Sequence, residues 1–112
     1  MTTNLKTNMN DDSADFLQSL SGRKVTIANT LWAIRECEEM TQVEMAKMLG
    51  ISRQYLCDVE HNRRSLSARM AADFAIKLGY SPSHFVQMAL QDELDRYGFS
   101  FTVHLDERKD AA

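Results

Sequence analysis

TQVEMAKMLGISRQYLCDVE, residues 41–60, decides how the chain folds. Met45, Ala46 and Leu49 share one face of a helix that Thr41 can cap, and Glu44 three residues later completes a capping box. Leu49-Gly50-Ile51-Ser52 then makes a tight turn. Ser52 can cap a second short helix whose Leu56 and Val59 point inward. That helix opens with Ser52, Arg53, Gln54 and Tyr55, all able to hydrogen-bond and none needed for a core. Two short helices about a glycine-containing turn, with polar residues leading the second, have the geometry that places a helix against DNA base edges.

The same periodicity extends outward. Thr26 can cap a helix with Ile27, Leu31 and Ile34 on one face, and Ser67 a fourth with Ala71, Phe74, Ala75 and Leu78 inward, ended by Gly79. Ser81 followed by Pro82 starts a fifth through about Arg96, carrying Phe85, Val86, Ala89, Leu90 and Leu94 and closed by Gly98. Upstream, Asp12 or Ser13 can begin a short helix through Leu20 with Phe16, Leu17 and Leu20 on one face, broken by Ser21-Gly22. Residues 1–12 are polar and Asn/Thr-rich, as in a disordered tail.

Past Gly98 the period changes. Phe99, Phe101, Val103 and Leu105 alternate with Ser100, Thr102 and His104, the pattern of a strand. A lone strand leaves its backbone unpaired, and the simplest partner is the same strand of a second copy. The expected organisation is a tail at 1–12, a short helix and linker at 13–25, a helical domain at 26–98, and a dimerisation strand and tail at 99–112. The fold class is all-α with one C-terminal strand, and the expected dimer contact is Phe99, Phe101, Val103 and Leu105.

Composition bounds the function. Four glycines and one proline in 112 residues favour helices over a turn-rich β fold. No apolar run approaches the roughly 20 residues that span a bilayer, and the polar N-terminus lacks a signal-peptide core, so a cytoplasmic protein is expected. Cys37 and Cys57 show no metal-ligand spacing, and His61, His84 and His104 form no metal motif. No nucleophile–base constellation, phosphate-cradling glycine loop or helical zinc motif is present, so neither an enzyme nor a cofactor is expected. The net charge of −3 hides an uneven distribution. Residues 41–70 hold five Lys/Arg against three Asp/Glu, whereas both flanks are net acidic. Phosphate contact needs a local basic face, which Lys47, Arg53, Arg63, Arg64 and Arg69 supply.

LWAIRECEEMTQ, TQVEMAKMLGIS, SRQYLCDVEHNRR and KLGYSP, spread over residues 27–86, together resemble the Cro/cI-type (XRE) helix-turn-helix family. The resemblance implies a five-helix, lambda-repressor-like domain that binds double-stranded operator DNA. It places Gln42 at a backbone phosphate, Ser52, Arg53, Gln54, Tyr55 and Asp58 where the recognition helix meets bases and nearby phosphates, and Asn62, Arg63 and Arg64 in a phosphate-gripping loop. It also suggests an internal ion pair between Arg35 and Glu60, the alternative being two solvated charges. Chemically, Arg53 can offer a fork to guanine, Gln54 can pair with adenine, and Tyr55 can pack on a thymine methyl or bond a phosphate. Asp58 must accept a hydrogen bond, from cytosine N4, Arg53 or Arg64, or else repel phosphate. His61-Asn62 replaces the family's frequent glycine turn, and asparagine tolerates the left-handed conformation.

Residues 66–94 are similar to the corresponding part of HigA-type antitoxins, and the terminal strand resembles that of HipB-type antitoxins, which pairs across a dimer. These resemblances imply an autoregulatory, dimeric repressor and suggest a toxin protein as second partner. The alternatives are a phage- or restriction-type regulator without a toxin, or a protein-interaction module on the same fold.

Overall fold

Every helix in the described part of the chain starts at a serine or threonine. The computed structural model describes residues 25–108, so the tail expected at 1–12, the helix expected at 13–20 and the last four residues lie outside it. Five helices follow in order: α1 Ile27–Cys37, α2 Gln42–Leu49, α3 Arg53–Glu60, α4 Ala68–Leu78 and α5 Pro82–Arg96. The hydroxyls of Thr26, Thr41, Ser52, Ser67 and Ser81 each accept a hydrogen bond from the backbone N–H three residues on. Each satisfies a donor that a helix start leaves without an intrahelical partner. At α2 the capping box is complete: Thr41 Oγ1 accepts from the Glu44 N–H at 3.1 Å, and Glu44 Oε1 accepts from the Thr41 N–H at 2.9 Å.

The apolar faces meet in one core. Leu31, Ile34, Met45, Leu49, Leu56, Val59, Phe74, Leu78 and Phe85 are all buried, at roughly 1.5–3 kcal/mol each for a fully buried large apolar side chain. Helix α3 packs against α1 and α2, while α4 lies along α5 in the most extensive helix–helix interface. Of the α5 residues expected inside, Phe85 and Ala89 are buried. Val86, Leu90 and Leu94 are only half-buried, because α5 rests on its neighbours with one narrow face. Tyr80 and Leu66, both in connections, complete the core. The Asp92 carboxylate on α5 accepts the Ile27 N–H at 3.0 Å, which ties α5 to the positive end of the α1 dipole.

Two glycines set the turns around the domain's centre. Gly50 (φ 76°) and Gly79 (φ 81°) end α2 and α4 in the left-handed conformation. The next residues then donate back into the helices, Ile51 N–H to Ala46 O at 3.0 Å and Tyr80 N–H to Ala75 O at 2.8 Å. The expected strand at 99–105 is not present: no strand occurs among the described residues. After Gly98, the Gln91 side chain takes up the segment's backbone, donating from Nε2 to Phe101 O at 2.8 Å and accepting the Val103 N–H at 2.7 Å. A glutamine amide offers one such pair and no ladder, so two-residue alternation alone does not make a strand.

Gly50→Ala should destabilise the domain by about 1–2 kcal/mol, the cost of a left-handed alanine. The added Cβ would meet only Lys77 Nζ, at an ordinary 3.5 Å, so the penalty is conformational. A urea unfolding midpoint unchanged from wild type would contradict this assignment.

Candidate nucleic-acid interface

The second motif helix is anchored by its own apolar positions. Leu56 and Val59 are buried, which turns Arg53 and Gln54 outward on the first turn of α3. Ser52, expected among the contact residues, uses its hydroxyl on the Tyr55 N–H at 3.0 Å and so acts as the N-cap.

Beneath this surface lies an ion pair. Arg35 on α1 grips Glu60 at the end of α3 through two bonds, Nε to Oε2 at 2.9 Å and Nη2 to Oε1 at 3.1 Å. The two side chains retain only 14% and 3% of their exposure, so these are not solvated charges. Arg35 Nη1 also donates to Met40 O at 3.2 Å, holding the connection between α1 and α2. The hydrogen bonds to Glu60 hold the Arg35 guanidinium even more firmly protonated than usual. Gln42 extends the network: its Nε2 donates to Glu60 Oε1 at 3.0 Å, and its Oε1 accepts from Arg53 Nη1 at 3.2 Å.

A second cluster centres on Asp58. Its carboxylate accepts from Gln54 Nε2 at 3.0 Å and from Arg63 Nε at 3.1 Å. The Gln54 hydrogen bond above all, with that of Arg63, holds Asp58 below the usual carboxylate range. The hydrogen bonds to the acid on this face thus come from Gln54 and Arg63 rather than from Arg53 or Arg64, while the Arg64 charge adds to its stabilisation. Charge position alone could not decide this, because four residues lie within one or two helical turns of Asp58.

Tyr55 makes its contacts within the domain. It is half-buried, its hydroxyl contacts Met70 Sδ at 3.3 Å, and the Arg64 guanidinium lies 4.6 Å from its ring centroid. Tyr55 is a platform that carries Arg64. Asn62 adopts the left-handed conformation (φ 63°) in place of a glycine, which turns the chain so that Arg63 and Arg64 follow directly after α3. The His61 ring closes α3 by donating from Nδ1 to Cys57 O at 2.8 Å.

The face therefore carries Gln42, Arg53, Gln54, Asp58, Asn62, Arg63 and Arg64 on one short helix and its two neighbours. A helix-turn-helix family model matches residues 33–85, from the middle of α1 to the start of α5. This is a Cro/cI-type helix-turn-helix domain. The domain marks the chain as a DNA-binding regulator. No curated protein and no solved structure matches the chain, so the finer likeness to HigA- and HipB-type antitoxins stands on the sequence resemblance alone. No helix among the described residues is long and apolar enough to cross a membrane.

The helix-turn-helix domain should be sensitive to its buried pair. Glu60→Ala leaves the Arg35 charge buried without its partner and should cost about 3 kcal/mol. Thermal unfolding followed by circular dichroism measures this, and a melting temperature equal to wild type would show that the pair contributes nothing.

Proposed function

We propose that the chain is an autoregulatory transcriptional repressor that binds an inverted-repeat operator as a two-fold dimer, with α3 in the major groove. The observation that carries this reading is the first turn of α3, where Arg53 and Gln54 are exposed above a buried anchor. The Arg53 guanidinium can fork to guanine O6 and N7, and the Gln54 amide can pair with adenine N6 and N7, at about 1–3 kcal/mol of discrimination per contact. Arg63 and Arg64 grip phosphate. Two such helices would lie about 34–36 Å apart, one turn of B-DNA.

The dimer contact we assign is residues 99–105. Tyr97, Phe99 and Phe101 stand at two-residue spacing with ring centroids 6.2 and 5.6 Å apart, and Phe99 and Phe101 remain 51% and 63% exposed. Gln91 covers the backbone edge formed by Phe101 and Val103. Residues one apart face opposite edges of an extended chain, so Ser100, Thr102 and His104 would offer the edge that pairs with the partner's strand. Leu105 would add apolar area at the end of that contact. If the antitoxin resemblance extends to function, a cognate toxin is the second partner. The competing reading, a protein-binding module on the same fold, draws on the same exposed rings and requires an affinity that salt hardly changes.

Fluorescence anisotropy on DNA from upstream of the chain's own gene, against scrambled DNA at two salt concentrations, separates the readings. Nanomolar, salt-dependent preference for the upstream DNA is expected, and equal affinity for both DNAs overturns autoregulation. Arg53→Ala should relax specificity at one position of each half-site, whereas Arg63→Ala should weaken all sequences and reduce the salt slope by about 1. In analytical ultracentrifugation, removing residues 99–112 should yield monomer; an undiminished dimer rejects the strand contact.

A further inference from the structure

We infer that Glu60, although buried, sets base selectivity at the position read by Arg53, and does so by fixing which way the Gln42 amide faces. The inference rests on the DNA-reading role proposed for α3 and assigns that site a positioning residue. Glu60 keeps only 3% of its side-chain exposure and is committed to Arg35 at both oxygens, so it does not itself reach a base. An ionised carboxylate only accepts hydrogen bonds. Gln42 must therefore turn its Nε2 toward Glu60, at 3.0 Å, and its carbonyl Oε1 away from it. That carbonyl meets Arg53 Nη1 at 3.2 Å. The opposite amide orientation would set carbonyl against carboxylate and N–H against guanidinium, two repulsive contacts in place of two attractive ones.

Arg53 is the first residue of α3, exposed, on a side chain with many rotamers. The Gln42 carbonyl occupies one of its five N–H donors and holds the guanidinium in place before DNA arrives, leaving the other donors for a base. A side chain restrained in its reading position loses less freedom on binding and is less able to swing to an acceptor on the wrong base. The buried pair thus reaches the groove through one amide.

The test is a matrix of affinities in which each half-site position of the operator is changed in turn, measured for the full chain and its variants. Gln42→Met keeps the side chain's length and removes its hydrogen bonds. It should lose about tenfold of the selectivity at the position that Arg53→Ala relaxes, and none elsewhere. Glu60→Gln should lose selectivity at that same position, because an amide partner permits both orientations of Gln42. Leu78→Ala, in the core of α4, serves as the stability control: it should lower the unfolding temperature more than Gln42→Met while leaving the base profile unaltered. The relay is overturned if Gln42→Met retains the wild-type preference at the Arg53 position, if its loss spreads evenly over all positions, or if Leu78→Ala produces the same change of profile. A wild-type protein with no base preference anywhere would overturn the DNA-reading role as well, so the two failures are distinguishable.

Discussion

The bond between Arg35 and Glu60 is the constraint on which the rest of the domain depends. It joins α1 to the last residue of α3, and through Met40 O and Gln42 it also fixes the connection to α2 and that helix's start. Taking two charges out of water is expensive, and a well-packed apolar pair could serve stability as well. An apolar pair would have no direction. Arg35 supplies donors at fixed angles, and its three bonds end on two different segments: two on Glu60 and one on Met40. The approach of α1 to α3 is therefore set by hydrogen-bond geometry as well as by packing.

Around that anchor, the helices are delimited by short-range chemistry. Serine and threonine caps begin all five, and Gly50 and Gly79 end α2 and α4 by adopting a backbone conformation that other residues occupy only at a cost. Among the described residues, two that are not glycine share that conformation: Asn62 after α3, and Glu39 (φ 55°) between α1 and α2. Asn62 was legible because asparagine tolerates it, but Glu39 carries no such signal. Its turn lets the Met40 N–H return to Arg35 O at 2.9 Å while Met40 O accepts from the same residue's guanidinium.

The outward placement of the polar residues on α3 was legible, and their pairings less so. Arg53 and Gln54 stand outward on the first turn of α3, because a helix whose Leu56 and Val59 face the core must present them to solvent. The partners of those polar groups were a different matter. Asp58 could be matched with any of several neighbouring donors, and only the path of the loop through Asn62 brings Arg63 to it. Tyr55 read as a residue that packs on a thymine methyl or bonds a phosphate; within the domain its hydroxyl meets Met70 Sδ and its ring carries the Arg64 guanidinium. Gln42, which the resemblance places at a phosphate, is held within the domain between Glu60 and Arg53, a link that spans eighteen positions on one side and eleven on the other.

What the sequence by itself determined is everything set within about one helical turn: the caps, the glycine stops, and the faces that turn inward. Such features depend on neighbours three or four positions away, which are written in order along the chain. The resemblance to the Cro/cI-type family was carried by motifs of the same short range, and the family model matches over residues 33–85. The tertiary structure alone decided how polar groups far apart in sequence pair, and which apolar residues of α5 are fully covered. It also decided the fate of residues 99–105, whose alternation matches a strand but whose backbone in the single chain meets the Leu94 carbonyl at Phe99 and the Gln91 amide at Phe101 and Val103 rather than a second strand. A strand is completed by hydrogen bonds to a partner, and no pattern within the strand can supply them.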